Sequence, residues 1–338
     1  MRYFRGSPIG NGARSLYYFG RRSFFLRSVK SAGPISVRPF QQLRSWIQSQ
    51  WINSRLWPLW YRTNYVGRYF RGRLGVATRW LIQSRETSNF TYDLTPLNEA
   101  HLAELIAILL NQPSSTLASY IRELHEDRAL RDAVGARVLE LGREAGYDPV
   151  ARFGRRVGWY ALVRALKPKV VVETGVEKGL GAVVLCAALL RNKEEGHPGT
   201  YFGTDIDPGA GVLFVEPYRS MGAILYGDSI ASLQGLDVAI DLFINDSDHS
   251  AEYEAREYRV VAPKLSERAF ILGDNAHVTD ELVKFARESG RSFVFFREEP
   301  QDHWYPGAGI GLSFKSTAQA PVAVRGALIS ADQANEVV

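Results

Sequence analysis

Four short apolar runs in the second half of the chain each end in a turn that carries an acid, and this repeated ending constrains the fold more than any other feature. Residues 169–172 run into Glu173-Thr174-Gly175-Val176-Glu177-Lys178-Gly179, and 200–203 run towards Asp205-Ile206-Asp207-Pro208. Residues 223–226 run into Gly227-Asp228-Ser229, and 238–244 into Asn245-Asp246-Ser247-Asp248-His249. A fifth run, 269–272, delivers Gly273-Asp274-Asn275-Ala276-His277. Short β-branched and aromatic runs punctuated by glycine and aspartate read as strands. The helical stretches between them give the alternation of a parallel α/β sheet. Ligands of such a sheet lie beyond the carboxyl ends of its strands, so the acids gather where a ligand would sit. The last two runs, 292–296 and 310–314, read as an antiparallel hairpin whose thirteen-residue connection, 297–309, is long enough to suggest a functional loop.

Glycine spacing selects among cofactors. The dinucleotide pattern G-x-G-x-x-G is absent, since the glycines stand at 175, 179 and 181, and no phosphate-cradling G-x-x-x-x-G-K-[ST] occurs. The pattern that is present, Glu173-x-Gly175-x-x-x-Gly179, resembles motif I of the class I S-adenosylmethionine (SAM)-dependent methyltransferases. The resemblance implies a Rossmann-like α/β sheet of seven strands with the last one antiparallel. It also implies that Gly175 and Gly179 let the backbone approach the methionine half of SAM, with the Glu173 carboxylate at its amino group. Asp205, with Asp207 as second choice, would accept from the ribose hydroxyls, and Asp228 and Ser229 would meet the adenine.

Residues 246–253 look like the D-x-D-H-S-Y-E segment of the small-molecule methyltransferases that include the sugar O-methyltransferases, although Ala251 and Glu252 intervene before Tyr253. Asp246 taken with Asp274-Asn275 is similar to the magnesium site of the catechol and caffeoyl-coenzyme A O-methyltransferases. By that resemblance Asp246, Asp274 and Asn275 hold a divalent metal, and His249 is the general base that removes the acceptor's proton. Asp248 in place of Asp246, and His249 or His277 as a ligand, are alternatives at the same centre. Trp304 and Tyr305 in the long connection are placed to stack on a substrate ring. The implied activity is SAM-dependent, metal-assisted methylation of a hydroxyl on a small molecule or glycan. Two rivals are a non-catalytic methyltransferase-like scaffold behind a membrane-binding arm, and a hydroxylase-like relative with iron on His249, Asp246 and His277.

The first quarter is physically different. Residues 1–85 hold 16 Lys and Arg and no acid, whereas 86–338 hold 25 basic and 36 acidic residues, a net charge near −11. Residues 1–40 read as irregular. From there Leu43, Trp46, Ile47 and Trp51 recur at helical spacing, giving an amphipathic helix that stops near Pro58. Five of the seven tryptophans lie between 46 and 80, among arginines, a composition suited to an anionic membrane surface. The same acid-free composition also fits an organelle transit peptide, or an extension packed on the folded body. No nucleic-acid-binding motif accompanies it. Thr95-Pro96 opens a helical subdomain whose further helices fit 115–125 and 127–145, with His101 and His125 on solvated faces. The expected organisation is therefore a basic extension over 1–86, helices over 87–150, the SAM-binding domain over 151–315 and a flexible tail over 316–338. No run of 18 apolar residues is present, and the lone Cys186 excludes an intramolecular disulfide and any cysteine-cluster metal site. The expected location is cytoplasmic, peripheral at a membrane.

Overall fold

A computed structural model of the chain describes residues 38–53 and 56–315. The readings of 1–40 as irregular and of 316–338 as a flexible tail fall outside the described residues except at 38–40, which already belong to a helix. The chain divides into two units, 1–68 and 69–338.

In the first unit, α1 (Arg38–Asn53) carries Leu43, Trp46, Ile47 and Trp51 as exposed side chains. The helix expected to stop near Pro58 ends earlier, at Asn53, and a second helix, α2 (Leu56–Gln83), follows. Pro58 sits in the first turn of α2, where its missing N–H interrupts no helical hydrogen bond. Trp57 stacks on Trp60 with ring centres 5.5 Å apart.

The second unit holds three helices ahead of the sheet: α3 (Pro96–Leu110), α4 (Ser114–Glu126) and α5 (Arg128–Leu141). Thr95 caps α3 as expected, its hydroxyl accepting from the Asn98 N–H at 3.2 Å. A helix α6 (Arg156–Leu166) leads into β1 (Val170–Thr174), α7 (Leu180–Glu194), β2 (Thr200–Asp205), β3 (Gly222–Tyr226), α8 (Ser229–Gly235) and β4 (Ile240–Asn245). Then come α9 (Ala251–Val261), β5 (Leu265–Gly273), α10 (Glu281–Glu288), β6 (Ser292–Arg297) and β7 (Gly309–Phe314). The strand order is β3-β2-β1-β4-β5-β7-β6. Strands β1 to β5 are mutually parallel, and β7 runs antiparallel to both β5 and β6. This is the class I methyltransferase architecture that the motifs imply.

Period-two alternation buries both faces. Val171, Leu242, Ile244, Phe270 and Leu272 join one core with α3, α4, α6 and α7. Val172, Phe243 and Ile271 join the other with Leu233, Tyr258, Val261 and Leu282. The register aligns the strand ends, pairing Thr174 with both Thr204 and Asn245, and Asn245 with Gly273. The parallel ladder then runs one residue past each end. Gly175 N–H donates to Thr204 O at 2.9 Å, Asp246 N–H to Thr174 O at 2.9 Å, and Asp274 N–H to Asn245 O at 2.8 Å. The first residue of each functional turn is therefore held as firmly as the sheet.

His125 of α4, read as a solvated polar side chain, bonds Glu99 of α3 at 2.8 Å. That bond raises its pKa above the ordinary imidazole value; burial opposes it, and Asp93 and Arg131 also face the ring. A pKa raised in the folded state contributes stability that is present below the ordinary value of about 6.5 and is lost as pH rises through the folded value. Urea unfolding is therefore expected to show stability falling as pH rises above about 6.5, with a shallower fall in His125→Gln. An identical slope in both proteins would assign the dependence elsewhere.

Candidate functional site

A cavity of about 560 Å³ lies along the carboxyl edge of the sheet, lined by Gly175, Asp205, Asp207, Gly227, Asp228, Ser229, Asp246 and Tyr253 among others. It lies within the usual range for small-ligand sites. The Asp205 carboxylate is oriented by two backbone amides, accepting from Glu177 N–H at 2.7 Å and Asp207 N–H at 2.8 Å. A carboxylate has about four lone-pair sites, so roughly two remain for a ligand's hydroxyls. Asp207 accepts from Gly209 N–H at 2.8 Å and lines the same wall. Asp228 caps α8, accepting from Ala231 N–H at 3.0 Å and from the Tyr253 hydroxyl at 2.9 Å. The Ala231 bond, aided by Tyr253 and Arg256 against burial, lowers its pKa. Ser229 lies buried beneath it.

At Gly175, Glu177 and Asp246 this cavity adjoins a smaller one of about 190 Å³, whose walls include Asn89, Phe90, Arg155, Arg156, Glu173, His249, Asn275 and Tyr305. Glu173 is a buried acid at the back, accepting from the Tyr201 hydroxyl at 2.5 Å. Burial pushes its pKa up to about 7. Asp246, His249 and Asp274 each present a ligand atom, all within 4.8 Å of one another. Burial and the facing Asp274 charge raise the Asp246 pKa well above the carboxylate range. Two carboxylates brought together in this way fit a hard divalent cation, which would relieve their repulsion. Asn275, expected as a third ligand, turns its Nδ2 towards His249 Nε2 at 3.0 Å. Glu254 lies 3.7 Å from His249 Nδ1 and raises the imidazole pKa. His277 is exposed and outside the gathered group, so the iron set of His249, Asp246 and His277 is not brought together.

Asp274 is fully buried, and its other neighbour is a cation that the sequence did not suggest. Arg155 Nη2 donates to Asp274 Oδ2 at 2.7 Å while Nε pairs with Oδ1. Arg155 Nη1 donates to the Tyr92 hydroxyl at 3.1 Å, and that hydroxyl donates to Glu298. Burial works against the Arg155 charge, but Asp274, Tyr92 and Glu298 more than offset it.

Residues 172–276 match the family described as a methyltransferase domain. The match spans less than a third of the chain. It includes every strand end that lines the larger cavity. No curated protein matches the chain. Solved structures that it resembles include a methyltransferase from Geobacter sulfurreducens (17% identical, covering 54% of this chain and 89% of that one, TM-score 0.41). Others are the O-methyltransferase TomG of Streptomyces achromogenes in complex with SAM (17%, 56% and 91%, 0.41) and an SAH-bound methyltransferase from Podospora anserina (14%, 56% and 88%, 0.41). None of these likenesses carries a substrate or a residue's role to this chain.

Within the matched segment, Glu257 is a fully buried acid that sequence reading passed over. It accepts from Thr174 Oγ1 at 3.1 Å, from Ser247 Oγ at 2.8 Å, and from Ser229 and Asn245, so it ties the ends of β1 and β4 to α8. Its only sequence signal was a place, shared with Glu254, on the side of α9 that carries Tyr258 and Val261. Of the two aromatic residues expected at the substrate, Tyr305 lines the smaller cavity. Trp304 instead packs on Trp80, with ring centres 5.3 Å apart. The long connection is held by the segment before α3: Thr95 N–H donates to Glu299 O at 2.9 Å and Gln301 N–H to Asp93 O at 2.7 Å.

Proposed function

We propose that the chain is a SAM-dependent O-methyltransferase acting on a hydroxyl of a small molecule or glycan. The observation that carries this reading is the convergence of Gly175, Asp205 and Asp228 on one cavity that adjoins, at Asp246, a second cavity lined by His249. Asp205 would accept from the ribose hydroxyls with its free lone pairs, Asp228 and Ser229 would face the base, and Gly175 would give the backbone room at the methionine end. SAM supplies, when bound, a methyl group on a sulfonium ready for in-line displacement. The chain's task is alignment and removal of one proton. His249 is the base: Glu254 beside Nδ1 increases its proton affinity, and the acceptor's hydroxyl would replace Asn275 Nδ2 at the Nε2 lone pair that takes the proton. Tyr305 on the cavity wall would bound the acceptor. A divalent ion, magnesium by the oxygen character of its donors, would be held by Asp246 and Asp274 and would lower the pKa of a hydroxyl bound to it.

Asp205→Ala is expected to weaken SAM binding by about 1.5–3 kcal/mol in isothermal titration, the scale of hydrogen bonds to a charged group. Unchanged affinity would remove Asp205 from the site. Wild-type protein that ignores both SAM and its demethylated product would support the scaffold reading instead. Full turnover in a strong chelator would exclude a required metal and leave His249 in its role.

The first unit supports a peripheral membrane role. Leu43, Trp46, Ile47 and Trp51 on α1 and Leu59 on α2 are exposed, and the segment around them has no acid. Indole rings at headgroup depth with arginines against anionic lipid would hold such a helix in the interface plane. Among the described residues no helix is long and apolar enough to cross a membrane. The full chain should sediment with anionic but not neutral vesicles, and less so as salt screens the attraction. Trp46→Ser with Trp51→Ser should reduce binding at least tenfold. Equal sedimentation of variant and wild type would reduce the segment to a packing extension.

A further inference from the structure

Arg156 stands beside Arg155 at the start of α6 and differs from it in one respect. Arg155 is paired with Asp274 and bonded to Tyr92, whereas Arg156, 6% exposed, makes no side-chain hydrogen bond or ion pair with any described residue. Its Nε is buried without an acceptor, and its guanidinium carbon lies 5.4 Å from the centre of the Trp159 ring. A buried cation without a hydrogen-bonded counter-charge is costly, and in a native protein it calls for a ligand or a function.

Arg156 lines the 190 Å³ cavity, and two acids whose ionised form an incoming ammonium would favour, Asp246 and Glu173, line it too. A small cavity with a guanidinium on one wall and carboxylates on another is complementary to a zwitterion. An α-amino acid carries its ammonium and carboxylate on a single carbon, at the separation such a cavity can span. The larger cavity, which suits a nucleoside, adjoins this one at Gly175. A molecule that joins a nucleoside to an amino acid would reach from one into the other, with its amino-acid end against Arg156 and the wall at His249 and Tyr305 left to the acceptor.

We propose that Arg156 receives the carboxylate of the cofactor's amino-acid end through a charge-assisted, two-pronged hydrogen bond of the kind guanidinium groups make with carboxylates. This rests on the SAM reading above and adds to it the residue that distinguishes a complete cofactor from its nucleoside fragment.

The test compares two ligands on the full chain by isothermal titration. S-adenosylhomocysteine carries the amino-acid end, and 5′-methylthioadenosine lacks it. In Arg156→Gln the affinity for S-adenosylhomocysteine should fall 10- to 100-fold while that for 5′-methylthioadenosine stays within twofold of wild type. Arg156→Lys, which keeps the charge but not the planar fork, should fall between the two proteins. Unchanged affinity for S-adenosylhomocysteine in Arg156→Gln overturns the proposal, and so does an equal loss for both ligands. Wild-type protein that binds neither ligand overturns the cofactor reading itself, a result distinct from failure at Arg156 alone.

Discussion

Asp274→Ala should lower the stability of the protein by about 3–5 kcal/mol, whether or not a metal is present, because it strands the Arg155 guanidinium in the interior. Asp274 is fully buried and engages Arg155 through both carboxylate oxygens, so its removal deletes the largest counter-charge of that cation. What remains near Arg155 is Asp246, which makes no hydrogen bond to it, and Glu298, reached through the Tyr92 hydroxyl, and burial already raises the pKa of both acids. Denaturant unfolding with chelator present isolates this effect from metal loss. Arg155→Met combined with Asp274→Leu should recover most of the stability, since a buried ion pair replaced by apolar groups of similar volume is close to neutral. Wild-type stability in Asp274→Ala would contradict the pairing. One consequence concerns interpretation: lost turnover in Asp274→Ala does not by itself identify a metal ligand, and Asp246→Asn, away from Arg155's hydrogen bonds, is the cleaner probe.

Gly175→Ala should abolish detectable binding of S-adenosylhomocysteine. Gly175 has φ +81°, and a Cβ built there falls inside the contact distance of the Asp246 carbonyl and the Ser247 Cα. The atoms in the way are backbone, so relief requires the ends of β1 and β4 to separate, and these ends form the junction of the two cavities. Left-handed geometry alone costs a non-glycine residue about 1–2 kcal/mol. Gly196→Ala measures that part separately, since Gly196 has φ +87° with open space where the Cβ would go. Isothermal titration should find Gly196→Ala binding like wild type. Binding retained by Gly175→Ala would mean the strand ends are looser than the ladder hydrogen bonds indicate.

The sheet and its edge were legible because both rest on local chemistry. Apolar alternation marks strands, and Gly175, Asp205, Asp228 and Asp246 follow their strands directly, so reading the strands also placed the acids. Boundaries were less legible. Strand β1 was expected to stop before Glu173, yet it runs through Glu173 to Thr174, because burial, glycine at 181 and the Tyr201 hydroxyl make room for an acid in the core. The second helix, Leu56–Gln83, was missed, since Pro58 was read as a stop although it sits in the first turn. Arg155, Arg156, Tyr92 and Glu298 were not legible at all. Their roles depend on partners as far as 206 residues away, and no local periodicity encodes such a pairing. Trp304 shows the same limit, its partner Trp80 lying in the basic segment that was read separately.

The central claim is that the carboxyl edge of this sheet binds SAM, and hydrogen–deuterium exchange of the full chain with and without S-adenosylhomocysteine tests it most directly. The account predicts slowed exchange in the backbone amides at 175–181, 205–211 and 227–231, which border the larger cavity or open the helices behind it. Exchange unchanged in all three segments at saturating ligand, or slowed only elsewhere in the chain, would contradict it.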